Sequence, residues 1–443
     1  MQANTINSKY QVLRQTIEDM LLYHKSIPKD IINIIISYYT NFKLITNDNE
    51  SATLLPNGSN DYAYALLFPD GSVETWGNTD KGGNSSSVQH LLKGVIEIYS
   101  TRTAFVAITN SVDGVKNVVA WGDSKNGGDC SSVQNKLHNI KSIHTGHYSV
   151  LGILTDETLV MWGKYTLDNY SLKNIKSVHS NGTSFAILTD EGNIYRLDYD
   201  GKNNVNVVQR QITHVSNIYH NYNSFVAVTE TGSIQTWGYY PSGISKDKES
   251  TLINVVSVTS SFAAHAALLE NKTVVTFGLS AFGGYYDNVQ DNVQDNMQDK
   301  LINIKAIYST TQAFAALTEN GNVITWGGEE YGGDSHGFLL TEEERKIIEV
   351  YSNYGAFMAI YDDNTIVTWG DEKFGGKWIL KNEYGNIKSI NTTLTSFVIL
   401  YTSGTMYIIG RLLSSMSDIE SIYSCPKGIV CIQKNGMIEK IIC

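Results

Sequence analysis

Apolar and polar positions alternate along the chain from about residue 41 onward as short strands and tight turns, and one pattern returns about ten times. Each copy opens on a strand in which polar and β-branched residues alternate, as in Asn139-Ile140-Lys141-Ser142-Ile143. It recurs as NIKSV from Asn174, NIKAI from Asn303 and NIKSI from Asn386, more loosely from Gly94, His214, Asn254, Lys346 and Asp418, and once more at Asn41-Phe42-Lys43-Leu44-Ile45. The next strand reads Ala104-Phe105-Val106-Ala107-Ile108-Thr109 in one copy and Ala313-Phe314-Ala315-Ala316-Leu317-Thr318 in another. Small and large apolar residues in turn predict a strand packed on both faces. Its large slot holds Tyr64, Phe185, Phe225, Phe357 and Phe397, with Leu151 in the third copy, His265 in the sixth and Ile429 in the tenth.

A third strand ends in Trp-Gly at Trp76, Trp121, Trp162, Trp237, Trp326 and Trp369, with Phe277, Ile409, Leu197 and Ile441 in the same slot. These anchors stand about 32 to 49 residues apart. Their fixed distance from a hairpin turn predicts that Trp121, Trp326 and Trp369 are buried equivalents. Asp70-Gly71, Glu191-Gly192, Asn320-Gly321 and Asn435-Gly436 join the second strand to the third, where a tight turn needs positive φ. After the third strand a double glycine recurs, at Gly82-Gly83, Gly127-Gly128, Gly283-Gly284, Gly332-Gly333 and Gly375-Gly376. No Lys-Ser/Thr follows it in a strand–loop–helix frame, so it reads as a turn and not a phosphate cradle. A short helical stretch, Ser131 to Leu137, can follow. The insertion from Asp287 to Lys300 places Val289, Val293 and Met297 four apart, which predicts that this helix is lengthened there by tandem duplication; a disordered loop is the competing reading, since Asn and Asp are poor helix formers.

Residues 1–40 read differently. Leu13, Ile17, Met20 and Leu21 make a one-sided helical stripe. A second apolar stretch opens Ile27-Pro28-Lys29-Asp30, with Pro28 suited to a first helical turn and Asp30 to the positive end of the dipole. It continues through Ile31, Ile32, Ile35, Ile36 and Tyr39 and reads as a second helix, with a buried strand as the alternative for so dense a run of isoleucine. The organisation expected is a helical segment over 1–40 and an all-β repeat domain over 41–443.

Charge narrows the partners. The net charge is −11, against broad attraction to nucleic acid or anionic membrane. Cys130, Cys425, Cys431 and Cys443 show no metal-type spacing and read as free thiols of a reducing compartment. With no signal-peptide pattern and no apolar run of membrane length, an intracellular protein of cytoplasm or nucleus is expected.

The phrase VVAWGDSKNGGDCSSVQNKL, from Val118 to Leu137, resembles repeats of the regulator-of-chromosome-condensation family in a compact variant of about 40 residues. The likeness spans nearly all of 41–443 through its Trp-Gly, double-glycine and NIKSI elements together. It implies a β-propeller. Founding members have seven blades with longer repeats, so a ten-unit ring, a ring with irregular blades and an open β-superhelix all fit. Their Gly-x-x-His-Ser signature is reduced to Gly146-His147-Tyr148-Ser149. The wedge loop and basic tail behind nucleotide exchange in that family have no match here. IPKDIINIIISYY, from Ile27 to Tyr39, is similar to the opening of an F-box, which implies docking of a Skp-type ubiquitin-ligase adaptor through Ile27, Pro28, Ile31, Ile32, Ile35, Ile36 and Tyr39. A helical cap on the array is the competing reading. Helical segments before such arrays also resemble those on repeat proteins of large DNA viruses of amoebae, and the abundance of Asn, Ile, Tyr and Lys beside five prolines fits an AT-biased genome.

No nucleophile, base and orienting group recur together, as catalysis would require. His144-Thr145-Gly146-His147 sits where other copies carry ordinary strand ends, so structure is expected over metal. Asp123 and Asp371, just after Trp-Gly, are expected to cap turns. The expectation is a protein-interaction scaffold without cofactor, metal or catalytic residues, and in its finer form a substrate receptor of a ubiquitin ligase. A regulator of a small GTPase or chromatin, and an enzyme or sugar-binding propeller, are the alternatives.

Overall fold

The computed structural model describes residues 43–46 and most of 63–442. Residues 1–42, 47–62, 285–299, 338–344 and several shorter loop stretches lie outside the described residues. The two N-terminal stretches, with Ile27, Pro28, Ile31, Ile32, Ile35, Ile36 and Tyr39, therefore lie outside them, as does the helix expected after Asp287.

Among the described residues the chain forms ten antiparallel sheets, six of three strands and four of four, and none closes on itself. In chain order they span 43–77, 95–122, 140–171, 175–210, 215–238, 255–278, 304–327, 347–380, 387–416 and 419–442. The second sheet is representative: Val95–Ser100, Ala104–Asn110 and Lys116–Gly122, paired in that order. Lys43–Thr46 pairs with Ala63–Leu67, so the copy read from Asn41 does open the array. No helix among the described residues is long and apolar enough to cross a membrane.

The strand order follows from the residues. Ala104, Phe105, Val106 and Ala107 are fully buried, because the middle strand is covered on both faces. Its small residues let neighbouring sheets approach while its large ones fill the space between them. Each core cluster is shared by two successive sheets. Val106, Ile108 and Val118 of the second sheet pack with Ile140, Ile143, Val150 and Trp162 of the third. Ala313, Ala315 and Leu317 of the seventh likewise meet Val350, Phe357 and Trp369 of the eighth. A single sheet buries too little apolar surface to stand alone, so each copy depends on its neighbours.

The tryptophan slot ties one copy to the preceding one. Trp121, Trp326 and Trp369 are 3%, 6% and 0% exposed, as the spacing required. Each stacks on the aromatic opposite it: Phe105–Trp121 and Phe357–Trp369 at 5.3 Å, Phe314–Trp326 at 5.2 Å. Each indole Nε1 then donates to the first glycine carbonyl of the preceding double glycine: Trp121 to Gly82 at 3.0 Å, Trp162 to Gly127 at 3.1 Å, Trp326 to Gly283 at 3.0 Å, Trp369 to Gly332 at 3.2 Å. The glycines are needed for two distinct reasons. Gly332 has φ +95°, and a Cβ there would stand 2.6 Å from Phe357 of the next sheet. At Gly333 a Cβ would stand 2.4 Å from the Gly327 carbonyl oxygen of its own Trp-Gly pair. The double glycine is thus the socket for the next copy's indole.

The register corrects one assignment. In the third sheet Val150, not Leu151, lies opposite Trp162, and Thr145 pairs with Val150 just as Ser100 pairs with Phe105. Gly127 of the preceding loop lies against Val150, its notional Cβ 2.8 Å from Val150 Cγ2, as Gly332 lies against Phe357. The helical stretch after Cys130 is a 3-10 helix, Ser131–Lys136.

Two compact units divide the chain. One comprises residues up to Lys173 with Tyr199–Asn206 and Met416–Ile442; within it the strand Lys43–Thr46 lies beside Ile419–Cys425, so the first and tenth sheets are neighbours. The other comprises Asn174–Asp198 and Val207–Ser415, and carries the successive sheets from 215 to 410.

Candidate interaction face

In an antiparallel three-stranded copy, the turn between the first two strands and the exit of the third share one end of the sheet. The turn of each copy and the loop that leaves its third strand therefore meet there. A turn residue braces the loop at that end: Thr101 Oγ1 donates to the Asn126 carbonyl at 2.8 Å, Ser261 Oγ to Phe282 at 2.8 Å, Thr310 Oγ1 to Tyr331 at 3.0 Å and Asn353 Nδ2 to Phe374 at 2.6 Å. The turns are also joined sheet to sheet. In the second unit the backbone N–H of Phe262 donates to Thr311, that of Thr311 to Tyr354 and that of Tyr354 to Leu394, at 2.9 to 3.1 Å. In the first unit Arg102 donates in the same way to His147 at 3.0 Å.

This belt holds side chains in fixed places, and many are aromatic. Tyr222 stacks on Phe262 at 4.8 Å, and Phe262 on Phe282 at 5.8 Å. Tyr331 meets Tyr354 at 6.5 Å, and Tyr354 meets Phe374 at 5.2 Å. All are half-buried except Phe374, which is buried. The sequence reading missed this series, since it is not the repeating slot of any strand. Its sequence signals are an aromatic residue two places before the middle strand, at Tyr222, Phe262 and Tyr354, and another just before the double glycine, at Phe282, Tyr331 and Phe374.

The groups with candidate chemistry are committed to structure. Asp123 Oδ1 accepts from Lys125 N at 3.0 Å, and Asp371 Oδ1 from Lys373 N at 2.9 Å, the capping expected of them. Both Asp123 and Asp129 border an open cleft of about 720 Å³ in the first unit, with Asp80, Lys81, Thr103 and Trp121. Asp129 accepts from the backbone of Ser131, which lowers its pKa. His144 Nε2 lies 3.0 Å from Ser142 Oγ, and burial pushes its pKa down to about 4. His147 is buried. Among the described residues no group of His, Cys, Asp and Glu is arranged to hold a metal ion, and Cys130 and Cys431 are free and buried.

His265 is the most perturbed group. It takes the aromatic slot of the sixth sheet over Phe277, ring centroids 5.2 Å apart, and is fully buried. Its Nδ1 lies 2.8 Å from Ser260 Oγ, and its Nε2 lies 2.8 Å from Ser224 Oγ and 3.2 Å from Asn221 Nδ2. Burial first, and the neighbouring His220 second, bring its pKa down to about 3. A neutral imidazole with hydroxyls on both nitrogens is a satisfied core group. It is no base facing a substrate.

No protein-family model matches the chain, and no curated protein does. Among solved structures, Prp20p from Saccharomyces cerevisiae is similar at 12% identity over 55% of this chain and 74% of its own, with a TM-score of 0.33. Yeast RCC1 (Prp20) bound to Kap60 is similar at 11% identity over 70% and 82%, with a TM-score of 0.34. Human WBSCR16 is similar at 12% over 56% and 78%, with a TM-score of 0.33. Scores this low add nothing to what the chain's own register and packing establish: an all-β array of repeated antiparallel sheets.

Proposed function

We propose that residues 41–443 act as a non-enzymatic protein-interaction scaffold, with the sheets as blades of a propeller-like array and the turn belt as its binding face. The observation that carries this reading is the hydrogen-bonded belt with its half-buried aromatic series, Tyr222, Phe262, Phe282, Tyr331 and Tyr354. Aromatic side chains held rigidly at a surface lose little entropy on binding and present large contact areas, which is why they dominate protein interfaces. The chemistry-bearing residues are taken up in caps, stacks and braces, which supports binding over catalysis. In its finer form the scaffold is a substrate receptor, with Ile27, Pro28, Ile31, Ile32, Ile35, Ile36 and Tyr39 docking a Skp-type adaptor.

The test is quantitative affinity purification of the tagged full-length chain from its host, beside a Phe262→Ala, Tyr354→Ala variant of unchanged melting temperature. Specific partners should fall away from the variant while the adaptor stays. Deleting residues 1–40 should do the reverse. Partners that ignore both changes would refute the assignment of face and of adaptor segment together.

A further inference from the structure

Tyr331 and Tyr354 stand beside carboxylates: Glu330 precedes Tyr331, and the backbone N–H of Asp371 donates at 2.9 Å to the carbonyl of Gly355, the residue after Tyr354. Tyr331 closes the 3-10 turn Glu329–Tyr331 beyond the third strand of the seventh sheet, and Tyr354 sits in the first turn of the eighth. Their rings meet at 6.5 Å and 56°, and Phe374 backs Tyr354. The carboxylates of Asp371 and Glu330 bear on the Tyr331 phenol, and together with burial, the larger cause, they raise its pKa. Residues 329–334 and 371–373 carry Glu329, Glu330, Asp334, Asp371 and Glu372 against one cation, Lys373.

An aromatic face attracts a cation through its quadrupole, and adjacent carboxylates strengthen the attraction. The first unit satisfies this chemistry internally: Lys164 Nζ lies 4.8 Å from the centre of the Tyr148 ring and 5.4 Å from that of Tyr165. Among the described residues no cation lies over Tyr331 or Tyr354. Among the described residues Tyr331 and Tyr354, with Glu330 and Asp371 beside them, therefore present the aromatic and carboxylate half of such a contact without a cation over either ring.

We propose that Tyr331 and Tyr354, with Glu330 and Asp371, are the docking point for a Lys or Arg side chain of a basic, extended protein segment. This rests on the interaction-scaffold reading and names the class of partner. Phosphate-bearing ligands are repelled by the five carboxylates. An extended chain also finds Phe262 and Thr311 on one side of Tyr354 along the belt and Leu394 on the other, places for the residues that flank its cation.

The test uses the full chain and fluorescence anisotropy with labelled, unstructured Gly-Ser peptides bearing spaced arginines, lysines or glutamates. The arginine or lysine peptide should bind and the glutamate peptide should not. Glu330→Gln with Asp371→Asn removes charge but keeps shape and the capping oxygen, and should weaken binding about tenfold, as should Tyr354→Leu. Asp190→Asn with Glu230→Gln, at the hairpin end of the fourth and fifth sheets, should leave binding unchanged at equal loss of charge. Equal weakening by the two double variants, or no binding of either basic peptide, would overturn the proposal. If partners captured from the host depend on Tyr222 and Phe262 but not on Glu330, Asp371 or Tyr354, the basic-segment inference fails while the scaffold reading stands. If they depend on none of these residues, both fail.

Discussion

Replacing Trp369 by Ala isolates the contact that joins one copy to the next. The indole is completely buried, stacks on Phe357 at 5.3 Å and donates to the Gly332 carbonyl at 3.2 Å. Truncating a buried Trp to Ala typically costs about 3–5 kcal/mol in lost transfer and cavity. The upper half of that range is expected here, since the stack and the hydrogen bond are lost together. Trp369→Phe keeps a ring over Phe357 and loses the donor and part of the volume, so about 1–2 kcal/mol is expected. Trp76 supplies the internal comparison. It stacks on Tyr64 at 5.3 Å but is half-exposed, and Trp76→Ala should cost less than half as much. Urea unfolding followed by far-ultraviolet circular dichroism measures all three, because the other tryptophans would confuse a fluorescence signal. The Trp369 loss should appear in whichever transition reports the second unit. Equal destabilisation by Trp369→Ala and Trp76→Ala would refute the socket argument.

Other outcomes follow from the same contacts. Gly333→Ala drives a Cβ to 2.4 Å from the Gly327 carbonyl oxygen, so a loss of about 1–3 kcal/mol is expected in the same urea series, and an unchanged midpoint would count against the close approach. His265 is neutral when folded and has a pKa depressed to about 3, so its contribution is intact above the unfolded value of about 6.5 and is lost as pH falls from there toward 3. The slope is up to about 1.4 kcal/mol per pH unit for this one group, and His265→Phe should flatten that part of a melting-temperature profile. Deleting residues 1–40 should leave the β-type dichroism and monodisperse gel filtration of the array; aggregation would favour the capping role of that segment.

Period-2 alternation, Asn-Gly or Asp-Gly turns and the recurring Trp-Gly were enough to locate the three strands of nearly every copy, because each reflects a local requirement of pleat or turn. Two features of the first strand escaped such a reading. Asn139, Asn174, Asn254 and Asn303 precede it with φ between 54° and 59°, in the left-handed region that Asn tolerates better than most residues. One residue further in, the register slips: Ile140 faces Leu154 and Ser142 faces Ile153, leaving Lys141 as an exposed bulge. The NIKSI phrase therefore encodes a left-handed step, an anchor and a bulge, which alternation alone reads as a plain strand. The fourth strands at Leu167–Ser171, Val205–Arg210, Ile379–Leu380 and Ser414–Met416 lack any common phrase, since they pair only with the outer edge of the third strand. The aromatic belt was illegible for a different reason. Its members meet through ring contacts between residues 20 to 40 apart in sequence, Tyr222 with Phe262 and Tyr331 with Tyr354 from one copy to the next.

The division of labour within a copy follows from where each residue's neighbours lie. A slot residue such as Phe357 is bounded by its own sheet, the preceding double glycine and the Trp opposite, so its size is dictated from three sides. A turn residue such as Tyr354 is held by its backbone, through the N–H to Leu394 and the carbonyl that accepts from Thr311, and neither bond involves its side chain. The same position of the copy accordingly carries Arg102, His147, Tyr222, Phe262, Thr311, Tyr354 and Leu394, from cation through aromatic to aliphatic. Main-chain bonding thus fixes where these side chains stand while leaving free what they are. Substitutions along the belt should alter what the array binds at little cost in stability, whereas substitutions in the slots should do the opposite.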